Sequence, residues 1–299
     1  MSGELIVADY QFEYNEFLFG CDTSFDVEEL SGFLGYPNVR SSTVDAFGMH
    51  GGVRGRHYVP SRTFTVEMNI KGSEDPLNYS NLRAALALAF QPRSSPDEEI
   101  QFVYQVPPNI KRFVNCRPID LVIPFDIRWA NLKYPHVTAR FECSDPRHYD
   151  LETNTEVATL PSPGGGLDFP LDFPLDFGAG TTSIIQLTNS GDAPAPWIAS
   201  ITGPVTNPRI EAITATEGDV FSLEFSGLTL AVGETLLLNS RDRSVLLGGQ
   251  SRRAFLAASS KWFTIPPQPN AITIAYTSDD SPPTNSTCTF TWSNATWGY

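Results

Sequence analysis

The most regularly spaced chemical groups in this 299-residue chain are three carboxylates. Asp168, Asp172 and Asp176 recur every fourth residue in a tetrapeptide written three times, LDFP, LDFP and LDFG, over residues 167–178. Two carboxylates held across a cleft can hydrolyse a glycoside. Here the prolines fix φ and keep the residues before them extended, so the three groups spread along a strap and do not converge. A second set lies in Met49-His50-Gly51-Gly52-Val53-Arg54-Gly55-Arg56-His57. Two His and two Arg suit an anion grip. The same composition suits a flexible loop tip, or a glycine-rich arm that orders only on a neighbour. Met49, His50, Arg54, Arg56 and His57 are therefore the candidate contact residues of a loop over residues 48–58.

The remaining reactive types point away from catalysis. Cys21, Cys116, Cys143 and Cys288 form no Cys-x-x-Cys pair, and the four histidines do not cluster with them, so free buried thiols are expected and no metal or cofactor. Trp197, Trp262, Trp292, Trp297 and Tyr299 could stack on sugars, although Trp at strand spacing is ordinarily core. Asn207-Pro208-Arg209 matches one tripeptide of galectin sugar sites without the rest of that pattern. No Gly-x-Ser-x-Gly elbow, His-Glu-x-x-His, phosphate loop or dinucleotide fingerprint occurs. The chain reads as a non-enzyme. Its net charge of −14, with more acids than bases in both halves, argues against binding a phosphate backbone. No apolar run is long enough to span a membrane, and no basic segment followed by an apolar core opens the chain, so synthesis and folding in a cytoplasm are expected.

The elements that must carry these residues fall into two domains around a linker. Residues 1–150 hold strand patterns over 5–19, 62–70, 99–106, 113–125 and 136–143. The clearest is 62–70, where Phe64, Val66, Met68 and Ile70 alternate with Thr63, Thr65, Glu67 and Asn69. One helix is expected over 76–90: Asp75 can cap it, Pro76 suits its first turn, and Tyr79, Leu82, Leu86 and Phe90 form an apolar stripe. No Lys or Arg precedes Arg40 while eight acids do, which gives the opening segment a negative field. Residues 151–180 read as a Pro/Gly linker followed by the LDFP strap, too apolar to be solvated, with Phe169, Phe173 and Phe177 as anchors at the domain junction. Residues 181–299 carry short strands at 184–188, 198–202, 209–214, 220–226, 235–239, 244–247, 262–265, 271–276 and 287–292 between Gly/Pro turns, the pattern of a β-sandwich or jelly roll.

The second half also carries an ordered series: the strap, Asn189-Ser190-Gly191-Asp192-Ala193-Pro194-Ala195-Pro196-Trp197, Ile201-Thr202-Gly203-Pro204, Asn207-Pro208-Arg209-Ile210, Gly233-Glu234-Thr235-Leu236-Leu237-Leu238-Asn239 and Ser260-Lys261-Trp262-Phe263-Thr264-Ile265-Pro266. This series resembles the C-terminal domain of siphophage distal tail proteins. The first half is similar to their N-terminal domain in organisation. The resemblance implies a mainly β protein: an N-terminal β-sandwich with one flanking α-helix and a protruding hairpin, then a galectin-like or jelly-roll sandwich. It implies a ring, a homohexamer in that family, that joins the tail tube protein to the tail-tip hub of a long non-contractile tail. It further implies a place in the virion tail tip and outer domains that contact receptor-binding proteins or host glycans. A virion-borne carbohydrate-binding adhesin is the alternative. The family has no catalytic residues to carry over.

Overall fold

The computed structural model describes every residue apart from 1, 37, 46, 49, 54, 56, 72–74, 93–94, 96–98, 124–134, 161–183, 215–217, 281–283 and 299. The chain forms two compact units, Met1–Glu152 with Thr296–Tyr299, and Thr153–Ala295.

The first unit is built from β1 (Gln11–Tyr14), β2 (Phe17–Gly20), β3 (Phe25–Ser31), β4 (Arg40–Ser41), β5 (Val44–Asp45), β6 (Gly52–Val53), β7 (His57–Tyr58), β8 (Arg62–Ile70), the helix α1 (Pro76–Ala89), β9 (Ile100–Val106), β10 (Ile110–Val122), β11 (His136–Cys143) and β12 (His148–Asp150). Its main sheet runs β2-β1-β9-β10-β11-β8-β3. β10 is the corner. Ile110–Cys116 pairs with β9, whereas Arg117–Val122 pairs with β11, and the register shifts between Pro118 and Asp120. A proline at such an irregularity removes a ladder donor where pairing is already broken, and a strand that bends there can serve two sheets.

The two halves of the folded sheet enclose an aromatic core. Phe102 lies 5.2 Å from Phe64 and 5.5 Å from Phe141 between ring centroids, and Tyr14 lies 5.1 Å from Phe141. Helix α1 forms where expected. The Asp75 carboxylate accepts from the Leu77 amide, Leu86 is buried, and Tyr79 and Leu82 pack on the core. Phe90, just past its end, sits edge-on to Tyr14, Phe19 and Phe141. The two-residue turn Asn15-Glu16 has positive φ at both positions, which suits a tight hairpin, and the Asn15 amide donates to the Ala89 carbonyl at the helix end.

The second unit comprises β13 (Asn154–Thr159), β14 (Ile184–Thr188), β15 (Trp197–Thr202), β16 (Val205–Thr206), β17 (Arg209–Thr214), β18 (Val220–Glu224), β19 (Thr229–Leu230), β20 (Thr235–Asn239), β21 (Ser244–Leu247), β22 (Gln250–Ser251), β23 (Ala271–Thr277) and β24 (Thr287–Trp292). One sheet runs β13-β24-β15-β20-β21-β22 and the other β14-β23-β17-β18. Each buries one face. Trp197, Ala199, Ile201, Cys288 and Phe290 line the first, and Ile210, Ala212, Ile272, Ile274 and Tyr276 line the second.

The expectations that fail do so for identifiable reasons. Residues 154–159, expected in the linker, are an edge strand, because Asn154–Thr159 pairs in full register with β24. Residues 296–298, expected in the C-terminal domain, belong to the first unit. Residues 262–265 make only a bridge from Ile265 to Ala195, and residues 5–10 form no strand. The strap, with Phe169, Phe173 and Phe177, lies outside the described residues. The four cysteines are free thiols. Cys116, Cys143 and Cys288 are buried as expected, but Cys21 is exposed. Burial raises the Cys116 thiol well above its ordinary pKa, and its neighbour Cys143 adds to the shift.

Phe102 touches rings from both halves of the first unit. Phe102→Ala is expected to cost about 3–5 kcal/mol in urea unfolding, and a loss below about 1 kcal/mol would show that the two halves do not depend on this contact.

Candidate functional site: a clamped apolar arm

Between β3 and β8 the chain leaves the core as a long hairpin. β4 pairs with β7 through Arg40↔Tyr58 and Ser41↔His57, and β5 pairs with β6 through Val44↔Val53 and Asp45↔Gly52. All eight of these strand residues are exposed. Two-stranded ribbons this short do not hold themselves together in water, so the arm depends on what fixes its base.

The base is fixed by Arg62. Period-two alternation puts this first residue of β8 on the same face as Phe64 and Val66, so its side chain points inward and is 2% exposed. Its guanidinium makes five bonds to main-chain carbonyls. Nε donates to Pro146 at 3.0 Å, one terminal nitrogen to Phe33 at 2.5 Å and Gly32 at 3.3 Å, and the other to Gly35 at 2.8 Å and Trp297 at 2.7 Å. The Gly35 amide in turn donates to the Gly298 carbonyl. A buried charge is costly unless fully hydrogen-bonded, and here a fan of carbonyl dipoles satisfies it. Burial lowers the Arg62 pKa from its ordinary value, while a guanidinium in water titrates far above neutrality.

A second polar layer underlies the clamp. Phe33 packs edge-on to Tyr104 at 4.9 Å and to His148 at 5.0 Å. The Tyr104 hydroxyl and His148 Nδ1 share a hydrogen bond of 2.7 Å. Burial, and after it the Arg62 charge, pushes the His148 pKa down to about 3, against an opposing pull from the Phe33 carbonyl. Gly298 closes the site from the C-terminal tail. With φ +111, a Cβ there would lie 2.8 Å from His148 Nε2, so only glycine lets the tail approach. Arg112 pairs with Asp150 at 3.0 Å, and Asp145 accepts from both Arg147 and the Tyr149 hydroxyl.

Of the residues expected in the arm, His50 and His57 are exposed, with Ser41 Oγ 3.3 Å from His57 Nε2. Met49, Arg54 and Arg56 lie outside the described residues. Beside these basic residues the segment carries bare apolar side chains. Val44, Phe47, Val53 and Tyr58 are exposed, Phe47 completely, and Leu34, Tyr36 and Val39 are exposed at the base. Their signal in the sequence was isolated apolar residues set among Ser and Gly. At Gly55 a Cβ would run into Ser42, so the two strands of the arm close tightly there.

Of the aromatic residues considered for sugar stacking, Tyr299 lies outside the described residues. Trp197 and Trp292 are buried, and their indole N–H groups donate to the carbonyls of Phe263 and Thr188. Trp262 stacks on Trp197 at 5.9 Å. Asp168, Asp172 and Asp176 lie outside the described residues. Among the described residues, no helix is long and apolar enough to cross a membrane.

Residues 190–295 match the family model for the siphovirus-type tail component, C-terminal domain. The distal tail protein of Bacillus phage SPP1 is 26% identical over 145 residues, an alignment that covers 45% of this chain and 44% of that protein. The crystal structure of SPP1 Dit, described as a paradigm of the hub adsorption apparatus in phages infecting Gram-positive bacteria, matches with a TM-score of 0.62 and 16% identity over 95% of this chain and 98% of that one. The mainly β fold, with one α-helix among the described residues, is thus that of a distal tail protein, and the likeness to siphophage distal tail proteins read from the sequence stands.

Two outcomes test the clamp. Arg62→Met strips donors from five carbonyls and is expected to cost about 3 kcal/mol or more, and limited proteolysis should then cut faster within residues 36–60. Arg62→Lys, with its compact head, should rescue little of the loss. Separately, His148 stays neutral in the folded protein down to about pH 3 but takes up a proton near 6.5 once unfolded. Its contribution is therefore complete above about pH 6.5 and fades as the pH falls toward 3, with a slope of up to about 1.4 kcal/mol per pH unit. Urea midpoints against pH should show that slope in the wild type and a shallower one in His148→Gln.

Proposed function

We propose that this chain is a structural, non-catalytic distal tail protein of a long non-contractile phage tail. Copies join into a ring, a homohexamer by likeness to the family. The ring connects the tail tube protein to the tail-tip hub and gives receptor-binding proteins their place in the virion. The first unit makes the ring and meets the tube, and the second carries the tip-facing parts.

The observation that carries this reading is the arm. Its outer residues Val44, Phe47 and Val53 gain nothing from the fold of one chain, while Arg62 anchors its base at full burial. Exposed apolar side chains on a rigidly rooted ribbon cost solubility unless a partner covers them. In a ring, the neighbouring copy is that partner, in a head-to-tail contact that closes on itself. The chain's likeness to a tail-hub protein and its tail-component domain support the same role.

Replacing Val44, Phe47 and Val53 together by serine leaves the clamp and core untouched. Mass photometry of the purified wild type, alone and with tube protein, is expected to show closed oligomers, and the triple variant to stay monomeric with an unchanged urea midpoint. A monomeric wild type under both conditions, or a variant that assembles normally, would overturn the proposal.

A further inference from the structure

The six-stranded sheet of the second unit has an outer face of unusual composition. One row across it reads Val157, Thr289, Ser200, Leu237, Leu246, Ser251, each residue opposite the next on the neighbouring strand. The rows on either side consist of Thr, Ser, Asn and Ile alone. No outward position on these strands is charged; Glu156, on the edge strand, alternates to the other side in register with buried Phe290. The other sheet of the same unit shows the ordinary pattern, with Arg209 on its outer face 3.7 Å from Glu211 and 3.5 Å from Glu224. Within the second unit, then, one sheet face lacks charge and the other carries it, in a chain whose net charge is −14.

We infer that this face pairs with the same face of a second copy of the chain. Two copies of a strongly acidic protein repel wherever carboxylates meet, and this is a surface where they meet none. Hydroxyl groups both donate and accept, so a Thr/Ser face is complementary to its own two-fold image. Val157, Ile198 and Leu237, each 40–47% exposed, supply the apolar contact. A glycan would find neither an aromatic ring nor a carboxylate here, and a basic partner would find no counter-charge. Six strands of about five residues span about 400 Å², half of the about 800 Å² that each partner gives to a stable complex. A single pair is thus weak, and copies already gathered by another contact gain from it through multivalency. The inference stands apart from the ring, which rests on the arm of the first unit.

Ser200 lies in the central row. In sedimentation velocity of the full chain at low salt and rising concentration, the wild type is expected to pair or, where rings form, to pair its rings. Ser200→Glu and Ser200→Lys should each weaken that pairing about tenfold or more while leaving any ring intact, and an equimolar mixture should restore it. The substitutions Leu237→Glu and Leu237→Lys form a second charge pair on the same row, should either Ser200 variant misfold. A wild type that never pairs, single variants that pair normally, or a mixture that stays apart would each overturn the inference. So would binding of soluble glycan that Ser200→Glu abolishes.

Discussion

One buried charge organises the first unit. Arg62 draws together carbonyls that are 27, 29, 30, 84 and 235 residues away in sequence. Each bond alone contributes little. Their joint effect is to define where the segment 32–35 turns outward, where the 146–148 segment crosses beneath it, and where the C-terminal tail docks. His148 beneath it is held neutral, and Gly298 above it puts no side chain in the way. The guanidinium suits this task because its planar, rigid donors reach several acceptors at once.

The clamp explains how a protein can present an apolar ribbon without unravelling. The aromatic core, folded around the β10 corner, supplies the hydrophobic stabilisation. The arm takes no part in that core, and its strands lack the third strand or buried face that would make a ribbon stable alone. Rooted in Arg62 and β8, it is held in place without being covered. The arm is thus stable at its root and bare at its tip. The charge-free face of the second unit is a milder case, wetted by hydroxyls and needing no partner for solubility.

Much of the fold was legible. The alternation of Phe64, Val66, Met68 and Ile70 located β8 to the residue, and Asp75, Pro76 and the Leu82–Leu86 spacing located α1. Most strands of the second unit fell where turn residues bracketed them. The site was legible in place but not in kind. Glycines and bases around residues 48–58 marked a loop, whereas the exposure of Val44, Phe47 and Val53 was invisible, because an apolar residue in a short ribbon reads the same whether it is covered or bare. Arg62 carried no signal at all. A charged residue opening a strand is ordinarily solvent-facing, and only partners remote in sequence make it otherwise.

By itself, then, the sequence determined the local periods, the helix and its cap, and the order of turns and strands that carries the likeness to siphophage distal tail proteins. These follow from backbone sterics and side-chain alternation, which act within a few residues. The tertiary structure alone decided that residues 154–159 join the sheet of β24, that the last residues return to the first unit, that Arg62 is buried among carbonyls, and that one sheet face carries no charge. Each depends on strand order and register between distant segments. Long-range pairing is selected by total burial and hydrogen-bond satisfaction, and no local propensity encodes that sum.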